Sequence, residues 1–146
     1  MDIPVIQQAK IQAQVLVPLV KALQAELGEA RANALVRNAL GDLYRQFGAQ
    51  FRQAKQEPDV GKFVGSAFRT YARDGALDYD VVEQSEDSFA IDVKGCRYAE
   101  FYKELGLTDL GYRMHCNRDF AMVAGFNDEL ELSRSQTIME GGACCD

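Results

Sequence analysis

The sequence has little histidine and no tryptophan, and several common catalytic signatures are missing from it. A single histidine, His115, excludes a zinc site built from three histidines and a metalloprotease helix that needs two. No GxxxxGK or GxGxxG loop is present to hold a phosphate group, and no GxSxG motif marks a nucleophilic serine. The longest uncharged apolar stretch, around residues 15–20, contains Pro18 and is far too short to cross a membrane.

The composition is that of an ordinary globular protein. Hydrophobic residues make up 47% and charged residues 26% of the 146 residues, which predicts one domain spanning residues 1–146. Within it, a helical part (1–73) precedes a strand–helix–strand part (74–146). The first residues lack a basic region followed by an apolar one, so we expect a cytoplasmic protein whose four cysteines are thiols.

Charge is distributed unevenly along the chain. Residues 1–73 hold ten Lys and Arg against six Asp and Glu, whereas residues 74–146 hold six against sixteen. The acidic second half argues against a nucleic-acid partner, and we expect a small-molecule substrate with no membrane contact. The basic residues of the first half are spread along helical sequence without a cluster, which favours solvated helix faces over a binding patch.

The first half is predicted to be helical. Periodic apolar residues indicate helices over residues 5–27, 29–55 and 60–73. Pro18 should end, kink or offset the first helix, and Gly28 is a candidate C-terminal cap. Pro58 marks a break over residues 56–59.

The pattern changes at residue 74 to one of alternating apolar and polar residues. Segments 77–81 and 89–93 predict an antiparallel hairpin, and helices are expected over residues 96–105 and 108–126. Further strands are predicted at 130–132 and 136–139. The fold class is therefore α+β, with N-terminal helices packed on a small antiparallel sheet of three to four strands and additional helices. The apolar N-terminal helices also allow a homodimer.

Sulfur and carboxylate residues distinguish the second half. Cys96 begins a predicted helix, whose N-terminus should lower the pKa of its thiol. Cys116 and Asp119 share one helix face, and His115 and Asp119 are also spaced to meet. Each of these residues has an alternative interpretation, because a lone cysteine is commonly a small buried hydrophobe and a lone histidine an ordinary surface or hydrogen-bonded residue.

A metal site is a further alternative that the spacing alone does not support. The chain has no CxxC pair, so no zinc-finger pattern is present. Cys96, Cys116 and Cys145 would hold a soft metal such as zinc only if the fold brought all three together. Cys144, next to Cys145, adds a vicinal pair near the end of the sequence.

Motifs in the second half resemble the L-2-amino-thiazoline-4-carboxylic acid hydrolase family over about residues 89–146. They are, in order, the Cys-x-Tyr helix start at Cys96, the Cys-x-x-Asp helix at Cys116, Arg134-x-x-Thr137, and Gly141-x-x-x-Cys145-Asp146. Two departures stand out. Family members usually continue past the final Cys-Asp with an aromatic and a basic residue, and Cys144 is an additional thiol.

The resemblance implies hydrolytic opening of a cyclic isothiourea, with water adding at C2 of the thiazoline and the carbon–sulfur bond breaking to give N-carbamoyl-L-cysteine. Catalytic roles are expected for Cys116, Asp119 and His115. The predicted substrate-binding residues are Arg134, as a carboxylate anchor, together with Thr137 and Tyr98.

Two other functions stay open on the sequence. A non-catalytic small-molecule or metal-binding domain could share this fold, and a thiol redox sensor could use the same cysteines. The hydrolase requires Cys116 and Asp119 to lie together beside space for a small ring. The sensor requires an exposed thiol with a second thiol nearby.

Overall fold

The computed structural model describes residues 2–55 and 59–146. The predicted break at residues 56–59 lies, except for Asp59, outside these residues. The regular elements, in chain order, are helices α1 (Val5–Leu27), α2 (Glu29–Lys55) and α3 (Val60–Ala72), strands β1 (Leu77–Gln84) and β2 (Phe89–Cys96), and helices α4 (Arg97–Glu104), α5 (Thr108–Gly111) and α6 (Arg118–Phe126). The α+β class is confirmed. None of the described helices combines the length and apolar composition needed to span a bilayer.

Helix α1 supplies one side of the main core. The helix continues through Pro18 and ends at Leu27. Its C-cap, Gly28, has a φ of 81°, which glycine adopts without the steric cost that a Cβ atom would bring. Its small buried residues, Ala9 and Ala13, let α4 approach closely. Tyr102 of α4 is completely buried in the resulting cluster, which therefore ties the first helix to the second half of the chain.

The sheet has two strands, fewer than predicted. β1 and β2 pair antiparallel, and one isolated bridge between Val93 and Cys145 adds to the outer side of β2. The predicted third strand, 130–132, forms no strand, and the predicted fourth, 136–139, instead contains a 3-10 turn at Ile138–Glu140.

The missing strands have a physical explanation in the partners of their amides. Leu130 and Leu132 are half-buried and alternate with exposed glutamates, so the pattern correctly predicts which side faces the protein. A strand also needs a neighbouring backbone, but the Leu130 amide donates instead to the Asn127 carbonyl at 3.1 Å. At the start of the predicted fourth strand the partner is a side chain. The amides of Ser135 and Gln136 donate to the Asp146 carboxylate, at 2.8 and 3.1 Å.

Helices α2 and α6 pack closely where two glycines meet the opposite backbone. A Cβ atom added at Gly48 would lie 2.1 Å from the Met122 carbonyl oxygen, and one added at Gly125 would lie 2.0 Å from the Arg45 carbonyl oxygen. About two turns earlier on α2, a Cβ at Gly41 would meet nothing within 4 Å. The helix pair is therefore closed at Gly48 and open at Gly41.

The predicted helix 108–126 is helical but not uniform. A π segment, Tyr112–Cys116, separates α5 from α6, and the amide of Asn117 donates to the Tyr112 carbonyl at 2.9 Å. The wider turn changes the direction of the side chains that follow, and such segments are frequent at functional sites. Both His115 and Cys116 lie in it.

Candidate functional site

Arg134 joins the two residues that the sequence places on one helix face. Its Nη1 donates to Asp119 Oδ2 at 3.2 Å, and its Nη2 donates to the backbone carbonyl of Cys116 at 2.9 Å. The Arg134 side chain is only 10% exposed. It also lies 5.1 Å from the centre of the Phe120 ring. The guanidinium therefore fixes the carboxylate relative to the turn that carries the thiol.

The final Cys-Asp pair is fastened to the same region. Cys145 exchanges two backbone hydrogen bonds with Val93, at 2.8 and 3.0 Å, and its Sγ accepts from the Ile138 amide at 3.2 Å. The Asp146 carboxylate accepts from the Ser135 hydroxyl as well as from the two amides described above. These bonds lower the pKa of Asp146 to about 2 and hold the segment that carries Arg134 against β2.

Two further thiols lie near this arrangement. Cys96 and Cys116 pack against the same main core cluster, and Cys145 is hydrogen-bonded to β2, the strand that ends at Cys96. We use the name thiol–acid cluster for Cys96, Cys116, Cys145, Asp119 and Arg134. Sequence reasoning placed all five at the site, from segments up to 49 positions apart.

Burial keeps these thiols protonated. Loss of solvent raises the pKa of Cys116 to about 12, with a further contribution from Asp119 that Arg134 opposes. The expected lowering of the pKa of Cys96 by the helix start is wrong. The Ala99 amide does donate to its Sγ at 3.4 Å, but loss of solvent is the larger effect and the pKa is raised. Burial likewise raises the pKa of Cys145.

Asp119 is the most accessible acidic group of the cluster. Its side chain is 49% exposed, although surrounding protein atoms hinder its solvation. This hindrance raises the pKa of Asp119, while Arg118 and Arg134 act in the opposite direction. The carboxyl is therefore open to solvent and near enough to Cys116 for its charge to raise the pKa of that thiol, as expected of a proton acceptor.

His115 is buried beside tyrosines and forms no described hydrogen bond with Asp119. Its Nε2 lies 3.2 Å from the Tyr102 hydroxyl, and its Nδ1 is enclosed without a hydrogen-bond partner in the described part of the chain. Burial, together with the charge of Arg118, lowers the pKa of His115 to about 3. The imidazole is therefore neutral at pH 7.

The two remaining predicted residues are engaged by the protein itself. Tyr98 donates its hydroxyl to the Tyr71 carbonyl at 3.0 Å, and burial raises its pKa. Thr137 is buried, accepts from the Glu140 amide at 3.2 Å and donates its hydroxyl to the Glu140 carboxylate at 2.7 Å. Thr137 thus caps the 3-10 turn that precedes the terminal Cys-Asp.

The thiols do not fit a zinc site. Among residues 2–55 and 59–146, no group of three or more His, Cys, Asp or Glu side chains is arranged to hold a metal ion. Cys96 and Cys145 each accept a backbone amide hydrogen instead.

Sequence reasoning missed a second feature, a recess of about 540 Å³ between α2 and the segment 113–121. We call it the arginine groove, after the four arginines that line it: Arg37, Arg45, Arg113 and Arg118. Two come from α2 and two from the second half. No spacing in the sequence indicates that these pairs meet, because they lie more than 60 positions apart.

A family model described as L-2-amino-thiazoline-4-carboxylic acid hydrolase matches residues 8–146. The match confirms the resemblance of the second half and extends it over most of the helical first half. No curated protein and no solved structure matches the chain.

Proposed function

Because the chain belongs to the L-2-amino-thiazoline-4-carboxylic acid hydrolase family, we propose that it hydrolyses a small cyclic isothiourea, such as 2-amino-thiazoline-4-carboxylate, to N-carbamoyl-cysteine. One observation supports the proposal above all: Arg134 binds both the Asp119 carboxylate and the backbone carbonyl of Cys116, and so links the acid to the residue that carries the thiol. A cytoplasmic setting is part of the proposal.

The neutral resting thiol suits a substrate that supplies its own positive charge. The amidine-like N–C–N unit of the ring is cationic when protonated, and an adjacent cation favours a thiolate. Asp119 would accept hydrogen bonds from the two nitrogens and the proton that Cys116 loses. Activation then depends on the substrate, which explains how a thiol of pKa about 12 takes part at neutral pH.

The chemistry takes two steps that balance with one water. In the first, Cys116 Sγ bonds to C2 of the ring, the ring C2–S bond breaks, and the leaving sulfur takes a proton from Asp119. In the second, water attacks the same carbon with Asp119 as base. The Cys116–carbon bond breaks, and the thiol and a urea group result, which is N-carbamoyl-cysteine.

The remaining predicted residues are assigned from their contacts. Arg134 uses two bonds to position Asp119 relative to Cys116, and the remaining donors of its guanidinium can anchor the substrate carboxylate. Neutral His115 of the π segment packs against Tyr98, with ring centres 5.8 Å apart. Thr137 holds the turn before Cys145.

The raised pKa values of three thiols favour this proposal over a redox sensor. Thiol oxidation follows thiolate character, and Cys96, Cys116 and Cys145 all have raised pKa values. A buried thiol that is activated by a bound cation would be protected from oxidants between turnovers.

Release of free thiol from 2-amino-thiazoline-4-carboxylate, with and without a chelator, tests the proposal. We expect turnover that the chelator leaves unchanged, and a loss of at least about 10³-fold in Cys116→Ser, because the hydroxyl is the weaker nucleophile. Cys144→Ser is the matched control and should retain activity. No turnover by the wild-type protein on this substrate and related cyclic isothioureas would refute the reaction, while full activity in Cys116→Ser would remove this thiol from it.

A further inference from the structure

The arginine groove concentrates positive charge on a protein whose formal net charge is -6. Of the charged side chains that line it, four are arginines and one, Asp42, is acidic. The four guanidinium groups are held on two elements, α2 and the segment around the π turn. Like charges repel, so the gathering of four guanidinium groups around one recess has an electrostatic cost, and it produces a surface that attracts anions.

The contacts within the protein leave much of the hydrogen-bonding capacity of these arginines unused. Arg113 binds Asp109, with its Nε at 3.2 Å, and Arg118 donates one bond to the Tyr44 hydroxyl while it stacks on that ring at 4.3 Å. Arg45 lies 3.6 Å from Asp42 in an ion pair whose two side chains are both exposed. Each guanidinium has five donors, so every one of these groups can also bind a ligand.

The groove has an uncharged part as well. Leu40 and Phe120 line it, and Phe120 is 38% exposed. Gly41 also lines it, and the absence of a side chain there leaves the recess open. A volume of about 540 Å³ is that of an ordinary small-molecule site.

We propose that the arginine groove binds a small molecule that carries at least two anionic groups, phosphate or carboxylate, on a partly apolar body. Planar guanidinium groups match both of these anions in a bidentate manner. A thiazoline carboxylate does not fit this description, because it carries one carboxylate beside a cationic ring. The groove is therefore assigned a ligand different from the substrate of the thiol–acid cluster.

Calorimetric titration at fixed ionic strength provides the first test, with pyrophosphate as the phosphate probe and citrate as the carboxylate probe. We expect at least one of them to bind the wild-type protein, and the stronger of the two identifies the anion. No binding of either probe at millimolar concentration would overturn the proposal. So would tighter binding of a single-stranded oligonucleotide, because the groove would then be a nucleic-acid surface.

A charge-neutral variant shows whether binding takes place inside the recess. Gly41→Leu places a side chain where nothing lies within 4 Å, and it should weaken the bound probe roughly tenfold or more by filling the groove. The matched control is Ala39→Leu. This exposed residue of α2 lies about 200° around the helix from position 41 and does not line the groove. Equal affinities of both variants would refute the site.

A second pair of variants separates the groove from net charge. Arg37→Gln with Arg45→Gln should also weaken the probe roughly tenfold or more, since two charge-assisted bonds are lost. Arg31→Gln with Arg52→Gln changes the net charge equally on the same helix, at exposed positions outside the groove. The control should stay within about twofold. An equal loss in both pairs would reduce the effect to non-specific attraction and overturn the proposal.

Discussion

The thiol–acid cluster and the arginine groove both use the segment 116–121, but they take different residues from it and treat charge in opposite ways. Cys116 and Asp119 belong to the cluster, where one arginine binds a carboxylate among protonated thiols. Asn117 and Arg118 belong to the groove, where four arginines surround an open recess. The same helical segment therefore contributes residues both to the thiol–acid cluster, whose arginine and carboxylate balance in charge, and to the strongly positive groove.

This difference shows how a single segment can support two kinds of chemistry. Proton transfer needs groups whose charge can change, and burial among few charges provides them. Recognition of an anion needs charges that do not change, and exposed guanidinium groups provide these. If the two regions are distinct in this way, substitutions in each should affect different measurements.

The largest expected effect tests whether the chemistry belongs to the cluster. Asp119→Asn should lower kcat/KM for ring opening by about 10²–10⁴-fold, because the amide cannot accept the proton of Cys116. Asp80→Asn is the matched control. Asp80 is likewise paired with a cation, Lys94, but it lies on β1 and should retain activity. A rate for Asp119→Asn equal to that of the control would place the reacting groups elsewhere.

The next effect concerns the pH dependence of the free energy of unfolding, to which buried His115, next to Cys116, should contribute and the arginines of the groove should not. The pKa of His115 is lowered in the folded state to about 3 from an ordinary value of 6.5, so the unfolded chain binds a proton first as the pH falls. Its contribution to stability is complete above pH 6.5 and is lost between 6.5 and 3. Guanidinium groups keep their charge throughout this range, so the arginines of the groove contribute no such dependence.

Urea unfolding of the wild-type protein and His115→Gln between pH 6.5 and 4.5 measures this loss. The glutamine can still bond to Tyr102 but does not titrate. The pH dependence of the free energy of unfolding should therefore be smaller in the variant by about 1.4 kcal/mol per pH unit. Parallel curves for the two proteins would show that His115 titrates alike in the folded and unfolded states, so that burial does not lower its pKa. Asp146 should not interfere, since its contribution to stability is lost between its ordinary pKa of 3.8 and its folded pKa of about 2, below this range.

The sequence predicts the cluster far better than the groove, for a physical reason. Each cluster residue belongs to a short motif whose chemistry is recognisable, and the helices and hairpin that carry these motifs follow local periodicity. The strands at 130–132 and 136–139 could not be predicted correctly, because the Leu130 amide bonds to the Asn127 carbonyl and the Gln136 amide to the Asp146 carboxylate instead of to a strand. The groove depends on the approach of Arg37 and Arg45 to a distant segment, and periodicity contains no such information. The expectation that the basic residues of the first half are unclustered did not anticipate the groove, because two of its four arginines come from the second half of the chain.

A smaller effect tests the difference in packing between Gly125, which meets the backbone of α2, and Gly41, which faces the open groove. Gly125→Ala should lower the free energy of unfolding by about 1–3 kcal/mol, because the new methyl group meets the Arg45 backbone. Gly41→Ala makes the same change at the groove and should raise it by about 0.5–1 kcal/mol, through helix propensity alone. Urea unfolding measures both. Destabilisation by Gly41→Ala would mean that the groove is filled rather than open.

The smallest effect tests whether the α2 arginines of the groove contribute to the stability of the fold. Arg37→Gln with Arg45→Gln should change the free energy of unfolding by no more than about 0.5 kcal/mol, since the Arg45–Asp42 pair is exposed and the loss of like charges offsets it. Chemical denaturation at low salt measures the change. A loss above about 2 kcal/mol would show that these side chains hold α2 against the rest of the fold. Near-unchanged stability together with weakened binding of the anionic probe would instead mean that Arg37 and Arg45 serve a ligand, because side chains that repel their neighbours and contribute nothing to folding have no structural role there.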